Sequence, residues 1–139
     1  RDANYELLDE VRGEVSKEDA LRAHYVIGEK ERVMEVSAAL EKEDYEEVGK
    51  KMYETHDGLS REYEVSCPEL DFLVDVARDC GVSGARVMGG GFGGCTINLV
   101  SQELYANFID KARKSYQEKF GKAPVVIDVV IGDGARKLC

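Results

Sequence analysis

The sequence predicts an α+β fold, and three observations predict it. Apolar residues recur at helical spacing through most of the first part of the chain, two short β-prone runs flank a cluster of glycines, and a β-branched run lies near the end. The helical part runs to about residue 66 and the mixed part from about 67 to 139. No repeat, low-complexity stretch or Pro/Ser-rich linker divides them, so they read as one domain.

Taken in order, Tyr5–Val11 is short and weakly periodic. Ser16 then offers an N-cap with Asp19 three residues on, a capping-box-like start to a helix reaching about Leu40. Val26, Val33, Val36 and Leu40 are its expected apolar face, with Glu29, Glu31, Arg32 and Glu35 on the remaining surface. A second helix runs from about Asp44 to near Ser60, with Tyr45, Val48, Met52 and Leu59 on one stripe. Pro68 suits a helical first turn, where its missing N–H has no partner to lose; Leu70, Leu73, Val74 and Ala77 then face a core, and Gly81 closes the helix.

Ala85–Met88 and Cys95–Val100 are strand-like runs joined closely enough to form a hairpin across the glycines. Ser101 caps a further helix in which Leu104, Phe108, Ala112, Tyr116 and Phe120 step by four, and Gly121 with Pro124 ends it. Val125 to Ile131 predicts a buried strand, and Gly132-Asp133-Gly134-Ala135-Arg136 a loop. From Pro68 onward the order helix, strand, strand, helix, strand matches a ferredoxin-like (split βαβ) antiparallel sheet with packed helices, lacking only the first strand. That strand is either Tyr63-Glu64-Val65 or a segment upstream of Arg1. The opening Arg1-Asp2-Ala3-Asn4, without Met, predicts a piece of a longer protein.

Composition narrows the function classes. A chain of 139 residues can bury roughly two thirds of its unfolded surface, enough for a core without disulfide or metal staples. No run approaches the ~20 apolar residues of a membrane span, and no basic flank leads an apolar stretch at the start, so the expected location is the cytoplasm and no membrane partner is expected. The formal charge of −9 has the wrong sign for neutralising nucleic-acid phosphates, so no nucleic-acid partner is expected either. An anionic nucleotide would need locally focused cations or backbone N–H groups. Cys67, Cys80, Cys95 and Cys139 include no CxxC pair, and only His24 and His56 could join them, so no metal site is expected and buried, reduced thiols are.

Gly89-Gly90-Gly91-Phe92-Gly93-Gly94 is the feature composition does not explain, because glycine gives up the most chain entropy on folding. Successive glycines permit positive φ, so consecutive N–H groups can form an anion nest without formal charge, or let another backbone come close. Gly89, Gly91 and Gly94 satisfy G-x-G-x-x-G, but a dinucleotide site needs a helix afterwards and here a strand follows. The protein-kinase glycine loop fails as well, with Thr96 where its Val should stand and no H-R-D or D-F-G downstream. No G-x-x-x-x-G-K-[ST] occurs. On the backbone argument alone, a phosphate-facing nest and a tight hairpin that merely needs glycine both stay open.

The residues also carry a resemblance. Gly84-Ala85-Arg86-Val87-Met88-Gly89-Gly90-Gly91-Phe92-Gly93-Gly94-Cys95 resembles the third, C-terminal motif of the GHMP small-molecule kinases in its galactokinase form. Ser60-Arg61-Glu62-Tyr63-Glu64-Val65-Ser66-Cys67-Pro68-Glu69-Leu70-Asp71, preceded by His56, resembles the segment galactokinases carry ahead of that loop. Ala23-His24-Tyr25-Val26 to Arg32 and Gly132 to Leu138 are similar too, so the resemblance spans nearly the whole chain.

It implies a GHMP kinase C-terminal domain, residues 1–139, of an enzyme that phosphorylates the anomeric hydroxyl of galactose with Mg-ATP. The sugar motif, the ATP phosphate loop and the catalytic Asp with its Arg would lie in an absent N-terminal domain, so this chain would hold no catalytic residue, bind no ATP or Mg2+ alone, and be inactive. Gly89 to Gly94 would pack beside the other domain's phosphate loop, and Gly91→Asp in the whole protein should lower turnover. The resemblance also admits a kinase for N-acetylgalactosamine, or a sensor that binds sugar and ATP without efficient catalysis. Loss of the other domain would leave an apolar interlobe face exposed, through which the fragment could self-associate.

Other polar residues read as structural. His56, with Asp57 and Arg61 nearby in sequence, is expected to be a hydrogen-bonding group on a helical stretch. Cys67 can be mildly reactive at a helix N-terminus, but packing is the expectation for it and for Cys95. Glu41, Glu43, Asp44, Glu46 and Glu47 are expected to solvate helix surfaces. Arg86 and Asn98, on the flanking strands, can support the loop or face solvent.

Overall fold

Local signals in the chain set most helix ends. In a computed structural model, which describes residues 2–130, 132 and 134, Asn4 caps α1 (Tyr5–Val11) by accepting from the Leu7 N–H at 2.8 Å. Ser16 starts α2 (Lys17–Glu41), its hydroxyl accepting from the Asp19 N–H and donating to the Asp19 carboxylate. Asp44 caps α3 (Tyr45–Arg61) through the Glu47 N–H, and Pro68 occupies the first turn of α4 (Pro68–Asp79). Ser101 holds the cap position of α5 (Gln102–Phe120) without a side-chain bond. Gly81 and Gly121 end α4 and α5 in the left-handed region.

Two strands, β1 (Gly84–Met88) and β2 (Cys95–Leu99), form the expected antiparallel hairpin, Gly84 opposite Leu99 and Met88 opposite Cys95. Helices α4 and α5 bury their stripes with β1: Val74, Val76, Ala77, Val82, Ala85, Phe108 and Ala112 form the core. Phe72, Tyr116 and Phe120 extend it as a ring cluster, with the Lys119 ammonium 4.2 Å from the Phe72 centroid. Helix α3 lies directly on the entry to β1. A Cβ on Gly49 would collide with the Ser83 carbonyl, so only glycine lets the two backbones meet there. The Tyr53 hydroxyl donates to the Val82 carbonyl at 2.8 Å and fixes the same crossing.

Helix α2 packs on α3 through a face the hydropathy pattern does not show. Tyr25, Gly28 and Ala39 are buried, while Val26, Val33 and Leu40 of the expected stripe are exposed and Val36 is half-buried. The buried face runs instead through Tyr25, Ile27, Gly28 and Ala39, off the expected stripe, and half-buried polar pairs complete it. Tyr25 sits over Gly58, Arg32 pairs with Glu29 at 2.5 Å, and Thr55 donates to Glu29 at 2.8 Å. Lys51 joins Glu35, Glu47 and Glu54 across the same seam.

The α+β class is the one observed, with α4, β1, β2 and α5 in the expected order. The expected strand at Val125–Ile131, and one of the two places offered for the missing first strand, do not form strands among the described residues. Tyr63-Glu64-Val65 is a turn in which Glu64 has φ 57°, in the left-handed region and bent too sharply for a ladder. Val125–Val130 has no regular structure, and Val125, Ile127, Val129 and Val130 are exposed. Strand formation needs a partner edge, and among the described residues β1 and β2 pair only with each other. The Tyr105 hydroxyl donates to Asp128 and ties this segment to α5. Ile131 and most of the loop expected at 132–136 lie outside the described residues.

Candidate functional site

The glycines between β1 and β2 form an open turn whose tip is held at one point. Gly89, Gly91, Phe92, Gly93 and Gly94 all have positive φ, 82°, 82°, 58°, 118° and 94°. A Cβ on Gly91 would run into the Val65 carbonyl, and the Phe92 N–H donates to that same oxygen at 2.6 Å. Gly89, Gly90, Gly93 and Gly94 have open space where a Cβ would stand. The Phe92 ring is 80% exposed, an aromatic side chain in the left-handed region that costs roughly 1–2 kcal/mol over ordinary backbone. Such a turn can present N–H groups to an anion or admit the backbone of another segment.

The stretch from Ser60 to Asp71 is the other half of the site. It comprises the end of α3, the turn at 62–67 that docks the glycines, and the first turn of α4. Below it His56, 3% exposed, accepts from the Val87 N–H through Nδ1 at 3.3 Å. Its Nε2 lies 3.3 Å from an Asp71 carboxylate oxygen. Asp71 also accepts from the Ser66 hydroxyl at 2.5 Å and the Ser60 hydroxyl at 3.1 Å. Burial pushes the His56 imidazole below its ordinary value, against the opposite pull of Asp71 and Asp57. The neutral ring then carries its proton on Nε2, because Nδ1 is the acceptor for Val87.

His56 is therefore the structural hydrogen-bonding group expected, whereas Asp57 turns away to pair with Arg78 at 2.8 Å, and Arg78 stacks on Tyr53. Cys67 is half-buried at the N-cap of α4, but Cys95 is exposed at the start of β2, which corrects the expectation of packing there. The acidic residues at 41–47 lie on the surface apart from half-buried Glu47; Asp44 serves as a cap and Glu47 faces Lys50 and Lys51. Arg86 donates to the Val87 carbonyl and Asn98 to Thr96, so both brace the hairpin. Sequence reasoning missed Ser60, Ser66 and Asp71 as a unit. The available signal was two hydroxyls and a carboxylate in the short stretch that leads into the helix start at Pro68.

A family model for the C-terminal part of GHMP kinases matches residues 36–118, which include α3, α4, the hairpin and most of α5. The chain belongs to the GHMP kinases. Human galactokinase is 43% identical over 140 aligned residues, covering 100% of this chain and 35% of that protein. The Bacillus subtilis galactokinase is 42% identical over 118 residues, 84% of this chain and 30% of the relative. A crystal structure of Lactococcus lactis galactokinase complexed with galactose superposes with a TM-score of 0.79 at 28% identity, over 87% of this chain and 32% of that one. This GHMP kinase chain thus spans about a third of the length of the relatives it matches. Among the described residues no helix is long and apolar enough to cross a membrane.

Proposed function

We propose that this chain is the C-terminal lobe of a galactokinase, which transfers the γ-phosphoryl group of Mg-ATP to the anomeric hydroxyl of galactose, giving galactose 1-phosphate and ADP. The observation that carries the reading is the 43% identity to a galactokinase across the entire chain, with the glycine turn inside the family match. The whole chain, residues 1–139, is then one domain, and the upstream domain of the full protein binds ATP, Mg2+ and sugar together with it. ATP supplies the phosphoryl group. The contribution of this chain is the turn Gly89–Gly94, whose open backbone fits close approach to phosphates or to a phosphate-binding loop despite the overall charge of −9.

Phosphoryl transfer rests on positioning and charge stabilisation of nucleotide, metal and acceptor together, and one turn provides a fraction of that. The isolated chain is inactive on this reading, works in the cytoplasm as part of the full enzyme, and self-associates through apolar residues left uncovered. The test is galactose-dependent ADP release with Mg-ATP by the full-length gene product, with the chain as control. Turnover by the first and none by the second is expected. Turnover only with N-acetylgalactosamine would reassign the sugar, binding of galactose and ATP without turnover would make the protein a sensor, and activity of the chain alone would overturn the division of labour.

A further inference from the structure

We infer that Asp71 and His56, with Ser66, are positioning residues that hold the glycine turn at two points, so that the reaction proposed above depends on a carboxylate that never touches substrate. The inference rests on that reading for its link to turnover, and on geometry alone for the link to the turn. Both anchors of the turn lead to Asp71. On the β1 side, the Val87 N–H donates to His56 Nδ1 and His56 Nε2 faces Asp71 Oδ1. On the tip side, the Phe92 N–H donates to the Val65 carbonyl, and the next residue, Ser66, donates its hydroxyl to the same Asp71 oxygen. Ser60 binds the other oxygen and holds the carboxylate against the end of α3.

The arrangement makes Asp71 a common reference for two backbone N–H groups five residues apart across the start of the turn. Gly91 is seated against Val65 with no space for a Cβ, so a shift of the 62–67 turn moves the glycines with it. The charged groups facing His56 are Asp57 on α3 and Asp71, Asp75 and Arg78 on α4, while β1 presents the Val87 N–H. A proton on Nδ1 would set two donors face to face and release the β1 anchor.

The test uses the full-length gene product with Ser66→Ala, Ser66→Thr and His56→Asn. Ser66→Ala is expected to lower kcat on the order of tenfold or more, as displacement of a positioning element does, with KM for galactose unchanged. Amide hydrogen exchange at Phe92 should quicken while exchange in α4 and α5 stays as in the parent, and Ser66→Thr should restore both rate and protection. His56→Asn, which keeps an acceptor for Val87 but loses Asp71, should show the same kcat loss. Unchanged Phe92 exchange in Ser66→Ala overturns the inference, as does a kcat loss that Ser66→Thr fails to rescue. If the parent protein shows no galactose-dependent turnover, the functional reading fails, and the Phe92 exchange comparison decides the positioning role by itself.

Discussion

The centre of the chain and its flanks use apolar residues in opposite ways. Around α4, β1 and α5, Val74, Ala77, Ala85, Val87 and Phe108 are buried within the chain itself. On the outer face of α2 and along 125–130, residues of the same type stand in solvent: Val33, Met34, Val125 and Val130 among them, the last 94% exposed. The centre is a finished core, and the flanks expose side chains of the same apolar kind. The glycine turn sits between the two, anchored below by the centre and open above. The family relation gives the contrast a meaning, since the matched relatives are about three times as long.

The sharpest way to probe the finished half is to hollow it. Phe108→Ala should destabilise the chain by about 3–5 kcal/mol, because the ring is buried among α4 and β1 residues that cannot collapse into its place. Urea unfolding measures it, and a loss below about 1 kcal/mol would mean that the centre is no better packed than the flanks. Gly49→Ala tests the α3–β1 crossing. Alanine adds up to ~1 kcal/mol of helix propensity, but its Cβ meets the Ser83 backbone and overpacking costs roughly 1–3 kcal/mol, so a net loss of about 1–2 kcal/mol is expected.

The same division explains what was legible in the sequence. The capped starts of α2 and α3, the stripe of α4, the hairpin and the four-step stripe of α5 are local patterns, and each is present. The α2 face differs from the expected stripe because Tyr25, Ile27, Gly28 and Ala39 pack inward, and the seam is filled by the Arg32–Glu29 pair that a hydropathy pattern does not register. Val125–Val130 has strand propensity, but propensity does not supply a neighbouring edge. The glycine turn was visible as a motif. Its anchor at Asp71 was not, because His56 on α3 and Ser66 in the 62–67 turn reach one carboxylate from separate parts of the chain, and Val87 on β1 joins it only through His56.

Acid should loosen the centre before it affects the flanks. His56 binds its proton less readily folded than unfolded, so between its ordinary value of about 6.5 and its lower folded value the unfolded chain holds more protons. Stability is full above that range and falls as pH drops through it, by at most about 1.4 kcal/mol per pH unit. Urea midpoints between about pH 7 and 5, compared with those of His56→Asn, isolate this contribution. A parent slope no steeper than the variant's would show that the ring is equally ready to take a proton in both states.

The smallest expected effect lies in the flank, and it discriminates the most. Ile127 is 72% exposed, so Ile127→Ala should change the stability of the chain by less than about 0.5 kcal/mol, as exposed substitutions do. In the full-length protein the 125–130 segment has more chain available to cover it, and the same substitution should then cost about 2 kcal/mol or more, the range for truncating a buried aliphatic side chain. The two measurements together separate a strand that awaits a partner from a tail that never packs. Equal, small losses in both proteins would leave Val125, Ile127 and Val129 as solvent-facing residues and remove the flank's claim to be half of a core.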